Sequence, residues 1–340
     1  MQDVAALAGV SVGSVSRVLN ERQNVNPAIQ DAVRKAMATL AFQPNVVARS
    51  MRMGTSSAIG VLVSDVTQHT AAQMVSAAEE RMRQRGFELF IANSHYDLDR
   101  ERGILASLRQ RRLDGFIGAI SDDENPEYFN ILKDLNMPVV LWERDAQGQF
   151  NSVLTDHADG CRQALEHLIG LGHQRIALIA GREGTWVGRE MVRGYMDAYE
   201  AARLPFESEL VCRTNEFNRA VCMTMLKSKS RPSAIIATVN DVAIILSCVR
   251  ELNIQIPLDL SIISIGEHEY ASVTSPALTV VTQNARDIGR EAADMLLALL
   301  DKPEVSGTRR SIHPMKLIVR ESCSIPPHTA KRKGRTIRAS

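Results

Sequence analysis

From residue 57 to about residue 265, short apolar runs alternate with stretches of helical spacing. The runs lie at residues 58–63, 88–92, 116–120, 138–141, 152–155, 175–179, 234–237 and 261–265. Continuous apolar runs of this length are typical of strands buried in parallel sheets, with helices as the connections. Because the alternation comes in two series, we predict two doubly wound α/β lobes, with a ligand cleft at the carboxyl ends of their strands.

The charge of the chain is unevenly distributed. The net charge of the 340 residues is +1, but residues 1–57 hold six basic and three acidic side chains. Residues 328–340 hold five basic side chains and no acidic one, so the segment between them carries a charge of −7. A basic end on an acidic body suits a protein that meets nucleic-acid phosphates with one end only. The basic tail could add nonspecific DNA affinity, although we favour a disordered, solvated extension.

Residues 3–20 have the pattern of two short helices joined by a glycine turn. Val4, Leu7 and Ala8 recur at helical spacing, and Gly9 follows where a positive φ is needed. Ser11 is a suitable N-cap for a second helix with apolar positions at Val15, Val18 and Leu19. The outer face of that helix is short, polar and singly basic, as a DNA recognition helix requires, although an ordinary helical hairpin has the same spacing.

A third helix begins at Asn26-Pro27, a good N-cap followed by proline at the first helical position. Its apolar positions can close a three-helix core with the first two helices: Ile29, Val33, Ala36, Met37 and Leu40. The chain resembles the LacI/GalR family of bacterial transcription regulators over about residues 2–325. The residues that carry the resemblance are Asp3-Val4-Ala5, Ala8-Gly9-Val10-Ser11, Val15-Ser16-Arg17-Val18-Leu19-Asn20 and Pro44-Asn45…Ala48-Arg49-Ser50.

The resemblance implies a helix-turn-helix headpiece over residues 1–44, a hinge helix and linker over 45–57, and a core over 58–325 that is like periplasmic binding proteins. It also implies that the chain crosses between the lobes three times. Lobe one then takes about 58–151 and 281–310, lobe two takes about 152–280 and 311–325, and 326–340 is the basic tail.

The second helix is expected to lie in the major groove of DNA. Arg17 can reach a guanine edge, while Val12 and Gly13 stand where, by resemblance to the family, the operator bases are selected. Four further polar residues are candidates for phosphate contacts, which position a protein rather than specify a sequence: Ser11, Ser14, Ser16 and Asn20. Local capping is an equally good interpretation of each serine.

The hinge segment is expected to order as a helix when a dimer binds a palindromic operator. In the family a leucine is wedged into the minor groove, and here Met51 stands at that position. Methionine is apolar and flexible enough for the same role. Ala48 leaves room beside it, Arg49 and Arg52 supply charge for the backbone, and Asn45 opens the segment. A plain interdomain linker is the alternative.

Two departures from the family pattern predict weaker contact with the DNA backbone. The threonine that caps the first helix is missing because the chain begins Met1-Gln2, unless the true start lies a few residues upstream. The family's Thr-Arg pair in the third helix is replaced by Ile29-Gln30.

Seven polar residues are candidates for the effector cleft: Asp65, His69, Asp156, Arg189, Asn240, Asp241 and Gln283. The resemblance implies a cleft position for Asp156, Asn240, Asp241 and Gln283, whereas His69 stands where the family commonly has an aromatic pair. Asp241 is the strongest candidate, because it follows a buried strand. The family's effector-binding arginine is replaced by Met191, and of the neighbouring arginines we favour Arg189 over Arg193. Trp142 or Trp186 could stack on a sugar ring. These groups suit a sugar or a sugar acid, whereas a purine would need more aromatic side chains than this chain offers.

Other classes of protein have less support in the sequence. The five cysteines form no CxxC pair, so we expect neither a disulfide framework nor a metal site, and no cofactor. No signal peptide or membrane-spanning run is visible, which predicts a cytoplasmic protein and argues against a periplasmic binder. No GxGxxG after a strand, P-loop or GxSxG is present, so we expect no enzyme activity. The alternatives that remain are a cytoplasmic sugar-binding protein and a regulator without effector response. No heptad-bearing helix is seen at the end, so a homodimer is favoured over a tetramer.

Overall fold

The computed structural model describes residues 1–19, 25–42, 55–302 and 307–327. It divides into two compact units, Met1–Ser56 and Ser57–Ser340, and each is described by itself. The predicted roles of Asn20, Asn45, Ala48, Arg49, Met51 and Arg52 fall on positions outside the described residues, as does most of the basic tail.

Over residues 1–19 and 25–42 the first unit forms three helices: α1 (Gln2–Ala8), α2 (Val12–Leu19) and α3 (Pro27–Thr39). The predicted turn and caps are confirmed. Gly9 has a φ of 65°, the Ser11 hydroxyl accepts from the Ser14 amide at 3.0 Å, and the Asn26 side chain accepts from the Ala28 amide at 2.9 Å. Val4, Ala5, Val15, Val33 and Ala36 form the buried centre of this unit. Leu7 and Leu40, expected inside, are exposed because they lie on the outer face or at the end of their helices.

The second unit holds two six-stranded sheets, as the alternating sequence predicts. The sheet of lobe one has the order β11-β5-β4-β3-β1-β2 and is parallel throughout. Its strands are β1 (Ala58–Val63), β2 (Glu88–Asn93), β3 (Gly115–Gly118), β4 (Val139–Trp142), β5 (Asn151–Thr155) and β11 (Arg310–His313).

Helices cover both faces of this sheet. On one face lie α4 (His69–Arg83) and α11 (Ala285–Asp301), and on the other lie α5 (Leu98–Gln110) and α6 (Pro126–Lys133). The side chains of β1 alternate between the two cores: Ile59, Val61 and Val63 join the first, and Ala58 and Leu62 join the second. Burial on both faces explains why β1 is apolar at every position.

Lobe two repeats the plan with the sheet order β12-β10-β9-β8-β6-β7, in which only β12 is antiparallel. Its strands are β6 (Ile176–Ala180), β7 (Val211–Arg213), β8 (Ala234–Thr238), β9 (Ser261–Ile265), β10 (Thr279–Thr282) and β12 (Lys316–Ile318). One face is covered by α7 (His157–Gly170) and α8 (Trp186–Ala201), the other by α9 (Arg219–Lys227) and α10 (Val239–Glu251).

The chain passes between the lobes three times, after β5, β10 and β11. The predicted lobe boundaries need correction at two strands. β5, placed at the start of lobe two by the sequence analysis, pairs with β4 and β11 inside the sheet of lobe one. β11 likewise belongs to lobe one, although most of it lies beyond the predicted boundary at residue 310. Strand pairing assigns both strands to lobe one, whereas the apolar pattern of the sequence does not show to which lobe a strand belongs.

Lobe one depends on a close approach between α4 and α11 at Gly289. A Cβ at this position would lie 2.1 Å from the Met74 carbonyl oxygen. We predict that Gly289→Ala lowers the free energy of unfolding by about 1–3 kcal/mol or more, because the two helices must separate. Urea denaturation measures this loss.

The matched control is Gly103→Ala on the exposed face of α5, where a Cβ would meet nothing within 4 Å. Removing a helical glycine should raise the free energy of unfolding there by about 0.5–1 kcal/mol. Equal effects of the two substitutions would contradict the close packing of α4 on α11.

Candidate nucleic-acid interface and ligand cleft

One end of α2 presents an exposed surface of unusual composition. Val12 is 43% exposed, and Gly13 and Arg17 lie beside it on the same surface. A Cβ on Gly13 would lie 3.9 Å from a terminal nitrogen of Arg17, so the guanidinium extends along the bare backbone there. An apolar side chain, a bare backbone at glycine and a long cation thus lie on one exposed surface of a short helix, as direct reading of base edges in the major groove requires.

The serines of α2 have local partners. The Ser11 hydroxyl lies 3.0 Å from the Ser14 hydroxyl in addition to capping the helix. Ser16 is half-buried on the helix. The capping interpretation therefore accounts for Ser11, and phosphate contacts by the serines stay a prediction.

The loops at the carboxyl ends of both sheets enclose a cavity of about 350 Å³ between the lobes of the second unit. In both sheets the strand order reverses beside the first strand, which is β1 in lobe one and β6 in lobe two. The loops after β1, β3, β6 and β8 all line the cavity. Its polar lining includes Ser64, Asp65, Gln68, Thr70, Tyr96, Glu143, Arg144, His157, Arg182, Thr185, Thr214, Asn215, Thr238, Asn240 and Gln283.

Three of the seven predicted effector residues line this cavity: Asp65, Asn240 and Gln283. One carboxylate oxygen of Asp65 accepts from the amide and the hydroxyl of Thr67, at 2.9 and 2.7 Å, which orients the side chain within its loop. The Gln283 side-chain oxygen is buried without a hydrogen-bond partner among the described residues. A buried acceptor without a partner is costly, and a ligand hydroxyl would satisfy it.

Asp241, the strongest candidate from the sequence, lies behind the cavity wall. Its buried carboxylate accepts hydrogen bonds from the hydroxyls of Thr214 at 2.8 Å and Thr238 at 2.6 Å. Burial raises the pKa of Asp241, and the two hydroxyls partly offset that effect. The residue ties the loop after β7 to the end of β8 and so positions two wall residues rather than facing a ligand.

Arg189 and Asp156 also lie away from the cavity lining. Arg189 donates to the fully buried carboxylate of Asp123 in lobe one at 2.6 Å. The second oxygen of Asp123 accepts from the Trp186 amide at 3.0 Å, so two groups at the start of α8 are bound to lobe one. Asp156 caps α7 by accepting from the Asp159 amide at 3.0 Å. Their polar groups serve lobe contact and helix capping.

His69 lines a second cavity at the edge of the cleft rather than the main one. Its ring lies 4.7 Å from the ring of His268 in lobe two, and His268 stacks on Tyr270. His69 therefore joins the lobes at the cleft edge. Its predicted contact with an effector is not supported by this placement.

The two tryptophans do not offer a free stacking face. Trp142 is completely buried at the end of β4, although it borders the cavity. Trp186 donates its indole N–H to the Thr155 carbonyl at 2.9 Å, and the Arg310 guanidinium covers its ring. The aromatic side chain that does face the cavity is Tyr96, which the sequence analysis missed.

A buried pair of ionisable groups, Glu143 and His157, forms part of the cavity wall. His157 lies 2.5 Å from one Glu143 oxygen, and the Thr155 hydroxyl donates to the other at 2.5 Å. Burial alone would raise the pKa of Glu143, but the interactions with His157 and Thr155 bring it below its ordinary value. Both oxygens of this carboxylate are therefore occupied by neighbouring side chains.

The missed wall residues have a common position. Tyr96 follows β2, Thr214 and Asn215 follow β7, and Glu143 follows β4, so each lies beyond the carboxyl end of a strand. The sequence pattern marks the end of β8 in this way but predicts no strand at 211–213. Applying the rule to every predicted strand would have identified the loops that carry Tyr96 and Glu143.

Comparison with known proteins gives matches along nearly the whole chain. Residues 1–45 match the domain described as bacterial regulatory proteins, lacI family, and residues 165–323 match a periplasmic binding protein-like domain. An HTH-type transcriptional repressor PurR of Proteus mirabilis (strain HI4320) is 30% identical over 336 residues, 96% of this chain and 97% of the relative. A PurR repressor of Yersinia pestis (strain Pestoides F) is 30% identical over 334 residues, again 96% and 97%.

Solved structures agree with these relatives. A lac repressor dimer bound to operator and the anti-inducer ONPF shares 27% identity, with a TM-score of 0.82 over 95% of this chain and 98% of that one. A complex of the transcriptional regulator CelR with cellobiose shares 28% identity, with a TM-score of 0.69 over 94% and 98% of the two chains. No helix among the described residues has both the length and the apolar character needed to cross a membrane.

The lowered pKa of the buried Glu143 carboxylate predicts how the free energy of unfolding changes with pH. A folded-state pKa below the ordinary 4.5 stabilises the fold above about that pH, and the contribution is lost as pH falls through the folded value. Glu143→Gln should therefore lower the free energy of unfolding by about 1–3 kcal/mol at pH 7 and reduce its fall between pH 5 and 3. Denaturant titrations across this range measure both effects.

Asp241→Asn is the control of opposite sign, because burial raises that pKa and ionisation of Asp241 then opposes folding. If both variants changed the fall in the free energy of unfolding between pH 5 and 3 in the same direction, the environments assigned to the two carboxyls would be wrong.

Proposed function

The chain belongs to the LacI family of bacterial regulatory proteins, and we propose that it is a repressor that binds a palindromic operator as a homodimer under control of a small effector. The observation that carries this proposal is the similarity, along nearly the whole chain, to a repressor crystallised on its operator. The exposed start of α2 and the cavity between two lobes supply the two sites that such a protein needs.

At the operator, α2 enters the major groove and reads base edges. Arg17 donates to a guanine, Val12 packs against a thymine methyl group, and Gly13 lets the backbone approach closely. Met51 acts as a minor-groove wedge, with Asn45 at the start of the hinge segment, Ala48 beside the wedge, and Arg49 and Arg52 on the DNA backbone. These hinge roles rest on the family resemblance, as does the phosphate contact of Asn20.

Dimerisation uses the free edge of the lobe-one sheet. β2 is the last strand of that sheet, and its Phe90 and Ile91 are 48% and 49% exposed. A strand edge with large exposed apolar side chains is a place where a second chain binds. A dimer also matches the two-fold symmetry of a palindromic operator, in which each half-site meets one headpiece.

The effector binds in the cleft and changes the lobe arrangement, which alters DNA affinity by linkage. Asp65, Asn240 and Gln283 receive the ligand, while Asp123, Arg189 and Trp186 hold the lobes together beside it. The wall is rich in hydroxyl and amide groups, which suits a sugar or sugar acid, and the CelR relative holds cellobiose. A regulator without effector response is the second candidate.

The proposed regulator acts in the cytoplasm, where the chromosome is, and needs no enzyme activity or cofactor. The cleft residues support binding rather than catalysis. Its Glu143 carboxylate is occupied by His157 and Thr155, and Asp65 is held by Thr67, so neither carboxylate is paired with the other as a hydrolase acid and base.

Arg17→Ala should weaken binding to the selected operator by about 1–3 kcal/mol and relax the preference at one base pair in each half-site. Selection from a random duplex library with the wild type supplies the operator. Repeating the selection with the variant measures the preference, and anisotropy of a labelled duplex measures affinity.

Arg34→Ala on the exposed face of α3 removes the same charge elsewhere in the headpiece. It should lower affinity for all duplexes alike without altering any base preference. An unchanged preference in the Arg17 variant would refute the proposed docking of α2.

Gln283→Ala and Asn240→Ala should reduce the effect of the true effector on operator affinity, since both side chains line the cleft. Couplings of this kind change affinity by about 5–150-fold. The same anisotropy assay, run with a panel of sugars and sugar acids, measures the response of each variant.

Arg193→Gln on α8 is the control, because Arg193 pairs with Glu190 and Asp197 and does not line the cavity. A full response in both cleft variants would place the effector elsewhere. A wild-type protein that binds operator but responds to no compound would favour the second candidate.

A further inference from the structure

Four formally charged carboxyl and guanidinium side chains line the cleft, and two of them are occupied. The Glu143 carboxylate is held by His157 and Thr155, and the Arg144 guanidinium donates to the backbone oxygens of Ile120 and Glu143. The remaining two are Asp65 in lobe one and Arg182 in lobe two. Asp65 keeps one oxygen with no hydrogen bond to another described residue, while the other accepts from Thr67.

Arg182 forms no ion pair with a carboxylate in the described part of the chain. Its guanidinium lies over the ring of Tyr96 from the other lobe, with the central carbon 5.2 Å from the ring centre. Stacking occupies the face of a guanidinium and leaves the N–H groups at its edge free to donate. The cleft therefore contains a guanidinium that is positioned by Tyr96 and whose N–H groups donate to no other described residue.

A hydrogen bond and a strained backbone turn fix the position of Tyr96. Its hydroxyl accepts from the Gln68 side-chain nitrogen at 2.7 Å, and both it and His95 have left-handed backbone, with φ of 60° and 54°. Two consecutive left-handed residues without glycine are a costly conformation, and such conformations cluster at ligand sites. The strained turn presents the aromatic ring to Arg182.

We propose that Arg182 binds a carboxylate of the effector and selects a polyhydroxylated monocarboxylic acid over neutral sugars. The inference rests on the proposed function of the cleft and deepens it. A planar guanidinium pairs with a carboxylate through two parallel hydrogen bonds, a geometry that neutral hydroxyls cannot reproduce. Asn240, Asn215, Gln283 and the threonines of the wall then receive the hydroxyl groups of the same molecule.

Asp65 limits the charge that the cleft accepts. It faces the cavity from lobe one and can accept a hydrogen bond from a ligand hydroxyl, but it repels a second anionic group. Arg182 can pair with one anionic group, whereas Arg144 already donates to backbone oxygens and a second anionic group would face Asp65. Sugar phosphates and dicarboxylic acids should therefore bind more weakly than monocarboxylic sugar acids.

The test is calorimetric titration of the full-length protein with matched probes. Gluconate, glucuronate and galacturonate are compared with glucose, galactose and glucose 6-phosphate. At least one acid should bind more tightly than its neutral partner. Arg182→Gln should lower the affinity for that acid by about 10–100-fold and leave the affinity for the neutral sugars unchanged. Arg182→Lys should keep part of the affinity, because the charge remains without the planar pair.

Two variants separate binding from folding and lobe contact. Arg193→Gln removes a surface arginine of the same lobe and should leave the binding of all probes unchanged. Tyr96→Phe keeps the aromatic ring under the guanidinium and should keep the preference for the acid, whereas Tyr96→Ala should reduce it. Circular dichroism of each variant checks the fold.

The proposal is overturned if Arg182→Gln leaves acid affinity intact, or if the neutral sugars or the phosphate bind more tightly than every acid. If a neutral sugar binds and its binding is lost in Gln283→Ala, the proposed effector function stands and the role of Arg182 fails. If no probe of any class binds, both the carboxylate selection and the sugar-type effector are rejected.

Discussion

Parallel strand pairing is the constraint on which the arrangement of the second unit depends. In a parallel sheet all carboxyl ends lie at one edge, so the loops that follow the strands are brought together whatever their sequences. Two such edges face each other here, and the wall of the cleft is built from loops after strands of both sheets. A buried carboxylate, Asp123, then joins the lobes by accepting from Arg189 and the Trp186 amide.

Much of this arrangement could be predicted from the sequence. Apolar runs bounded by helical spacing identified eight of the twelve strands among the described residues. One of the eight is the apolar edge strand β2, and the other seven are buried along nearly their whole length, which gives a strong sequence signal. Short or half-exposed strands carry a weaker one, and β7, β10, β11 and β12 were missed. The caps of the headpiece were predicted because serine, asparagine and glycine each have a specific conformational reason for their positions.

The cleft was harder to predict, because a polar residue beside a strand end has several uses. Asp241, Arg189 and Asp65 were all predicted to bind the effector, with Asp241 as the strongest candidate. In the structure Asp241 joins two threonines, Arg189 joins the lobes, and Asp65 faces the cavity. The role of a charged side chain depends on its partners, and some of these are distant in the sequence, such as Thr214 for Asp241 and Asp123 for Arg189. Tyr96 was missed for the same reason, since its neighbour Arg182 is on the other lobe.

The triple crossing of the chain between the lobes has a mechanical consequence. A single connection would let the lobes swing in any direction, whereas three covalent tethers side by side leave mainly one rotation and forbid wide separation. Each lobe must then turn as a rigid body, because its sheet is clamped between two layers of helices. A small rotation at the three connections leaves the strand pairing there intact. Because each lobe turns as a rigid body, the same rotation produces a larger displacement at the parts of the lobe far from the connections.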